Sequence, residues 1–150
     1  MIEQKHGKPA EILLVEDNPG DVRLTMEAFK ESKIRTNLFV INDGEEAINY
    51  LHRSGKYSSA KQPDFILLDL NLPRKNGNEV LQEIKKDPNL KTIPVVILST
   101  STNIDDIIRS YEGYANCYIS KPVDFGNFID VVKSIENFWL NTVNLPSKAN

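Results

Sequence analysis

Five short apolar runs alternate with amphipathic stretches along the chain. The runs lie at residues 11–15, 36–41, 65–68, 94–98 and 116–119. A continuous apolar run of this length is typical of a strand buried on both faces, and the stretch after each run has helical spacing. Strict alternation of strand and helix favours a parallel sheet with right-handed crossovers. The pattern therefore predicts an α/β, three-layer, doubly wound fold of five βα units.

Capping signals predict where the first and last helices begin. Asn18 suits an N-cap and Pro19 the first helical position, and apolar spacing extends that helix to about Lys33. Asp124 precedes the last helix, which the spacing extends to about Thr142. We expect residues 1–9 to be disordered, residues 10–142 to form one domain, and residues 143–150 to be a tail.

Composition restricts the function classes. The 150 residues carry a net charge of −3, which argues against nucleic acid as a partner. No apolar run approaches the roughly 20 residues of a membrane span, and the first residues lack a signal-peptide core. The single cysteine, Cys117, excludes an internal disulfide. We expect a cytoplasmic protein.

Polar side chains collect at the carboxyl ends of four predicted strands. Parallel strands end at one edge of a sheet, where open α/β folds bind their ligands. We therefore expect these side chains to converge on one site. They are Glu16, Asp17, Asp69, Ser99, Thr100 and Lys121.

The expected site has the residue types for phosphoryl chemistry. Three carboxylates held close together repel unless a cation joins them, and Mg²⁺ prefers oxygen ligands. Lys121 offers a compact positive charge for a phosphate, and the Ser99 hydroxyl is a donor. Asp69 is then a candidate for an aspartyl phosphate, because such transfer needs mainly positioning and charge neutralisation.

These motifs resemble the receiver domain of two-component response regulators. The segments that carry the resemblance are residues 14–17, 67–73 with Gly77, 94–99 and 118–122, and it extends over residues 10–142. It implies the flavodoxin-like sheet order 2-1-3-4-5.

The resemblance also implies roles for the residues of the site. Asp69 would accept a phosphoryl group from a phosphohistidine on a sensor histidine kinase. Mg²⁺ would be bound by Asp17, Asp69 and the backbone carbonyl of Asn71, with Glu16 acting through a water. Lys121 would pair with the phosphoryl group.

A conformational switch is implied in the same way. Ser99 would turn inward to the phosphoryl group, and Tyr118 would follow into the space left behind. The peptide bond before Pro122 would be cis.

Within this family the chain resembles the small regulators that partner bacterial phytochromes. The cues are the loop 53–62, the runs 99–101 and 116–118, and the ending 135–140. They imply a phytochrome-type kinase. Because eight residues after the last helix are too few for a DNA-binding fold, we expect a stand-alone regulator that acts on an unknown downstream protein.

The last helix has a wide apolar side. A broad core face accounts for most of it, and the further hypothesis is a homodimer through this helix and its neighbours. The residues concerned are Phe125, Phe128, Ile129, Val131, Val132, Ile135, Phe138 and Trp139.

Two other functions stay open on the sequence. The first is a small Mg²⁺-dependent phosphatase with an aspartyl-phosphate intermediate, although such enzymes want a second acid where this chain has Asn71. The second is a binding module of the same fold that is not phosphorylated, against which the set Asp17, Asp69 and Lys121 argues. An acceptor protein would be no enzyme beyond self-phosphorylation from small donors and autodephosphorylation.

Overall fold

A five-stranded parallel sheet forms the centre of the computed structural model, which describes residues 9–32 and 34–146. The strand order is β2-β1-β3-β4-β5, which confirms the predicted 2-1-3-4-5 sheet. The strands are β1 (Ala10–Val15), β2 (Thr36–Ile41), β3 (Phe65–Leu68), β4 (Val95–Ser99) and β5 (Cys117–Ser120). Most of the expected disordered start and half of the expected tail lie outside the described residues.

In the part of the chain that the structure describes, five α-helices follow the strands in turn. They are α1 (Pro19–Lys30), α2 (Gly44–Leu51), α3 (Gly77–Lys86), α4 (Ile104–Glu112) and α5 (Phe125–Glu136). Each begins after an Asn or Asp whose side chain accepts a backbone N–H of the first turn, which satisfies a donor that the helix itself leaves free. No helix among the described residues is long and apolar enough to cross a membrane.

The first helix ends at Lys30, three residues before the predicted end. The N–H of Ser32 bonds to the Phe29 carbonyl at 3.1 Å, a tighter turn than the α-helix. The Ser32 hydroxyl then accepts the N–H of Ile34 at 2.9 Å. A serine that offers the backbone this alternative partner favours leaving the helix.

The core has one layer on each face of the sheet. β3 is buried on both faces, and its side chains alternate between the two layers. One layer lies under α2 and α3, and the other under α1 and α5. The sheet is therefore covered on both sides, and its carboxyl edge is the place where polar groups can collect.

The last helix changes geometry before its predicted end at Thr142. The α-helix ends at Glu136, and Asn137–Thr142 forms a wider π-helical turn. Trp139 in this turn stacks on Phe65 of β3, with ring centroids 6.2 Å apart and planes 19° apart. The turn thus extends the apolar layer at the edge of the sheet where β3 begins.

Candidate functional site

Three carboxylates meet where β1 and β3 end. Oxygen atoms of Glu16, Asp17 and Asp69 lie within 4.8 Å of one another. The sheet fixes this arrangement, because the N–H of Asp69 donates to the carbonyl of Val15 at 3.0 Å. Glu16 and Asp69 are buried, whereas Asp17 is exposed. Three hard oxygen donors around one point are a donor set that fits Mg²⁺ or a similar divalent cation.

Lys121 at the end of β5 points into this cluster. Its Nζ lies 2.5 Å from Glu16 Oε1, 2.9 Å from Asp21 Oδ2 and 3.6 Å from Asp69 Oδ2. The lysine side chain is only 3% exposed, so its charge acts in a site from which most water is excluded. Asp21, in the first turn of α1, is a site residue that the sequence did not predict.

The peptide bond between Lys121 and Pro122 is trans, so the expectation of a cis bond is wrong. The two isomers of an X–Pro bond differ by only about 0.5–1 kcal/mol, so neighbouring contacts decide between them. Here the lysine is held by its carboxylate partners and by its backbone N–H, which donates to the Ser99 carbonyl at 2.7 Å.

Burial and charge act in opposite directions on the groups of this cluster. Burial, helped by the neighbouring charge of Asp69, raises the pKa of Glu16 to about 7, despite its hydrogen bond with Lys121. Burial would lower the pKa of Lys121, but its contacts with Glu16 and Asp21 outweigh that, and the net shift is upward. The site therefore keeps its positive charge and loses negative charge below neutral pH.

The loop after β3 is packed tightly against the site. The N–H of Leu70 donates to Asp69 Oδ1 at 2.8 Å, and the N–H of Gly77 donates to the Leu70 carbonyl at 2.9 Å. A Cβ on Gly77 would lie 2.3 Å from the Asp69 carbonyl oxygen, so only glycine allows this approach. Asn71, whose carbonyl is the expected metal ligand, is exposed in this loop.

Contacts with the start of α2 hold the same loop from outside. Arg74, which has a positive φ of 65°, donates to Asp43 Oδ2 at 2.5 Å. Gly44, the residue after Asp43, also lies against this loop. A Cβ at Gly44 would lie 1.7 Å from the Lys75 carbonyl oxygen, so a larger residue does not fit there. These contacts fix where the chain runs between Asp69 and Gly77. No local sequence pattern predicts these contacts, because they join parts of the chain about 30 residues apart.

The two expected switch residues lie beside this site. Ser99 is fully buried at the end of β4, and its Oγ accepts the N–H of Ser101 at 3.2 Å. Tyr118 of β5 packs against the core, and its hydroxyl donates to the Ser101 carbonyl at 2.8 Å. The backbone N–H of Tyr118 donates to the hydroxyl of Tyr111 on α4 at 3.1 Å. The loop from β4 to α4 thus contacts both residues.

Sheet order, carboxylate cluster and lysine together define a receiver domain. The family profile described as response regulator receiver domain matches residues 12–133. The chain belongs to this family.

Several members of the family are similar to this chain over nearly its whole length. Response regulator Rcp1 of Synechocystis sp. is 50% identical over 139 residues, which is 93% of this chain and 95% of Rcp1. The phosphorylated cyanobacterial phytochrome response regulator RcpA superposes with a TM-score of 0.92 at 52% identity, over 93% of this chain and all of that one. The Mn²⁺-bound form of Rcp1 gives a TM-score of 0.90 at 50% identity, over 93% of this chain and 100% of that one. The chain is thus a homologue of phytochrome response regulators.

Proposed function

We propose that Asp69 is the phosphoryl acceptor of this response regulator and that a sensor histidine kinase is the donor. The observation that carries the proposal is the burial of Asp69 against Lys121 at 3.6 Å, with Glu16 and Asp17 beside it. A carboxylate in such a place has a cation to neutralise an incoming phosphoryl group and belongs to a set of oxygen donors that can bind a metal ion.

Mg²⁺ is the proposed cofactor of this step. Asp17, Asp69 and the carbonyl of Asn71 would hold it directly, and Glu16 through a water. When bound, the ion neutralises charge on the carboxylates and on the phosphoryl oxygens. The oxygen donors fit it, and Rcp1, whose structure contains Mn²⁺, supports a divalent cation in a homologue.

The transfer itself needs little from the protein beyond position and charge. A carboxylate oxygen of Asp69 attacks phosphorus, the phosphorus–nitrogen bond of the phosphohistidine breaks, and the imidazole leaves with the electron pair. Lys121 Nζ lies near Asp69 Oδ2 and donates to an oxygen of the arriving group. The Ser99 hydroxyl, buried at the next strand end, provides a second donor.

Ser99 and Tyr118 would carry the signal to the surface. If the Ser99 hydroxyl turns to the phosphoryl group, it releases the N–H of Ser101 that it now accepts. The Ser101 carbonyl is the partner of the Tyr118 hydroxyl, so the same movement changes the contacts of Tyr118. Because Tyr118 also binds Tyr111 of α4, the face formed by α4, β5 and α5 is the proposed output surface.

Similarity to phytochrome response regulators supports a phytochrome-type kinase as the partner. The start of α1, beside Asp17, is the proposed docking site for that kinase. We assign residues 10–142 to the receiver domain, with an N-terminal segment and a C-terminal tail outside it, and place the protein in the cytoplasm. The proposed target of the output surface is a downstream protein.

A homodimer is the proposed assembly. Ile104, Ile108 and Tyr111 are 63%, 48% and 48% exposed on α4, and Phe125 at the start of α5 is 71% exposed. Apolar side chains left outside the core in one region of the surface are typical of an interface. The proposed interface is therefore α5 together with its neighbours β5 and α4.

Intact mass spectrometry after incubation with Mg²⁺ and acetyl phosphate tests the proposed function. We expect one phosphoryl group per chain, absent in Asp69→Asn and present in the control Asp105→Asn, which removes an exposed carboxylate from α4. A phosphoryl group retained in Asp69→Asn, or none in the wild-type protein, would contradict the proposal. The second result favours a binding module, and turnover of a small phosphomonoester would favour a phosphatase.

A further inference from the structure

Asp21 accepts a hydrogen bond from the ammonium group of Lys121, the same group that would bind a phosphoryl group on Asp69. Lys121 Nζ contacts Asp21 Oδ2 at 2.9 Å and Glu16 Oε1 at 2.5 Å, whereas Asp69 Oδ2 is farther, at 3.6 Å. An ammonium group has three N–H donors, and here two of them are directed to carboxylates on the β1–α1 side of the site. The cation that faces the acceptor is therefore already bound elsewhere.

Exposure decides which of these contacts is released when a phosphoryl group arrives. The Glu16 side chain is 3% exposed, and although its Oε2 accepts the N–H of Asn18, its Oε1 would lose the lysine in a buried place, which is costly. The Asp21 side chain is 22% exposed and can exchange the lysine for water. Breaking the contact between Lys121 and Asp21 therefore costs less free energy than breaking the contact between Lys121 and Glu16.

We infer that Asp21 is a positioning residue that competes with the phosphoryl group for Lys121 and holds the site in its unphosphorylated state. The inference rests on the proposed role of Asp69 and deepens it. Asp21 stabilises the unphosphorylated protein through its contact with Lys121, and its charge also repels a phosphoryl group placed near that lysine. Phosphorylation releases the carboxylate of Asp21 to the surface of α1.

The test compares the extent and rate of phosphorylation of Asp21→Asn with those of Glu27→Gln. Both substitutions remove one negative charge from α1 and keep the size of the side chain, but Glu27 has no contact with Lys121. With Mg²⁺ and acetyl phosphate, we expect Asp21→Asn to be phosphorylated about three- to tenfold faster than wild type, and Glu27→Gln to stay within about twofold. Asp21→Glu, which keeps the charge and can still reach the lysine, should return the rate toward wild type.

A phosphoryl analogue gives a second readout that does not depend on hydrolysis. Beryllofluoride should bind Asp21→Asn with a higher apparent affinity than it binds the wild-type protein, by a similar factor. A residue that only supports the fold would change thermal unfolding without raising this affinity.

The outcomes separate the two proposals. If the wild-type protein is phosphorylated and Asp21→Asn is no faster than Glu27→Gln, the competition is refuted while the function of Asp69 stands. If neither the wild-type protein nor the variants take up a phosphoryl group or beryllofluoride, the proposed function fails and this inference fails with it.

Discussion

The protonation of Glu16 sets how much negative charge the site carries. Its pKa is raised from 4.5 to about 7 by burial, so the folded protein binds a proton here that the unfolded chain releases. Between these two values the stability of the metal-free protein falls as the pH rises, since the folded state must give up that proton. Above the folded pKa the contribution of Glu16 is constant.

A pH-dependent affinity for Mg²⁺ follows from this shift. Metal binding favours the ionised carboxylate, so we expect the affinity to rise on the order of tenfold between about pH 5.5 and about pH 8. Isothermal titration calorimetry in buffers of equal ionic strength measures it. Glu16→Gln should flatten the dependence, and a wild-type affinity that stays constant over this range would contradict the raised pKa.

Individual residues were predictable from sequence where backbone topology places them. Asp69 and Lys121 converge because parallel strands end at one edge, and that follows from the pattern of apolar runs. The contact of Asp21 is not predictable from sequence, because it depends on how α1 is turned against the sheet, although Asp21 lies only four residues after Asp17. The isomer before Pro122 depends on a small energy difference that the motif does not determine.

At the scale of elements, the spacing of apolar residues predicts which segments are helical, but it predicts less well which face of each helix is buried. The apolar positions of α4 have helical spacing, yet Ile104, Ile108 and Tyr111 are all about half exposed or more. In α5, Phe128 and Val132 are buried, whereas Phe125 is 71% exposed. The periodicity of apolar residues identifies one face of a helix. Whether another element covers that face depends on how the elements pack in the tertiary structure.

The π-helical turn after α5 is a second feature that the spacing of apolar residues does not predict. A pattern of apolar residues cannot separate a continued α-helix from a wider turn, because the two differ by less than one residue per turn in where a side chain points. The stacking of Trp139 on Phe65 depends on that difference. Cys117 is also close to this indole, and burial raises the pKa of its thiol.

Trp139 is therefore expected to stabilise the fold more than its neighbour Phe138. Trp139→Ala removes a ring stacked on β3 and should lower the free energy of unfolding by about 2–3 kcal/mol. Phe138→Ala is the matched control, since that ring is 51% exposed, and should cost less than about 1 kcal/mol. Urea denaturation followed by circular dichroism measures both. Equal losses would show that the π-helical turn does not anchor the chain end.

At the scale of the whole molecule, the sheet order and layers follow from the alternation of strands and helices together with the family motifs. The two layers of core and the common edge are consequences of a parallel sheet with right-handed crossovers. Assembly cannot be predicted in the same way, because the same apolar residue types form an interface and a core. The exposure of apolar side chains on α4 and α5 in the structure distinguishes interface candidates from core residues.

Disruption of that exposed face should dissociate the proposed dimer. Ile108→Asp places a charge on a side chain that is 48% exposed on α4, and we expect the dimer dissociation constant to rise at least about tenfold. Met26→Asp, on α1 and 42% exposed, is the control and should leave association unchanged. Sedimentation velocity at micromolar concentration measures both. A wild-type protein that sediments as a monomer, with and without phosphorylation, would contradict the interface.

The most direct test of the account is to locate the phosphoryl group on the chain. An acyl phosphate on aspartate is reduced by borohydride to homoserine, whereas a phosphate ester on serine or tyrosine is not. After treatment with Mg²⁺ and acetyl phosphate, reduction and peptide mass spectrometry should find homoserine at position 69, in place of Asp69. Homoserine at Asp17 or Asp21 instead, or a phosphate that survives reduction on Ser99, would contradict the assignment of the acceptor.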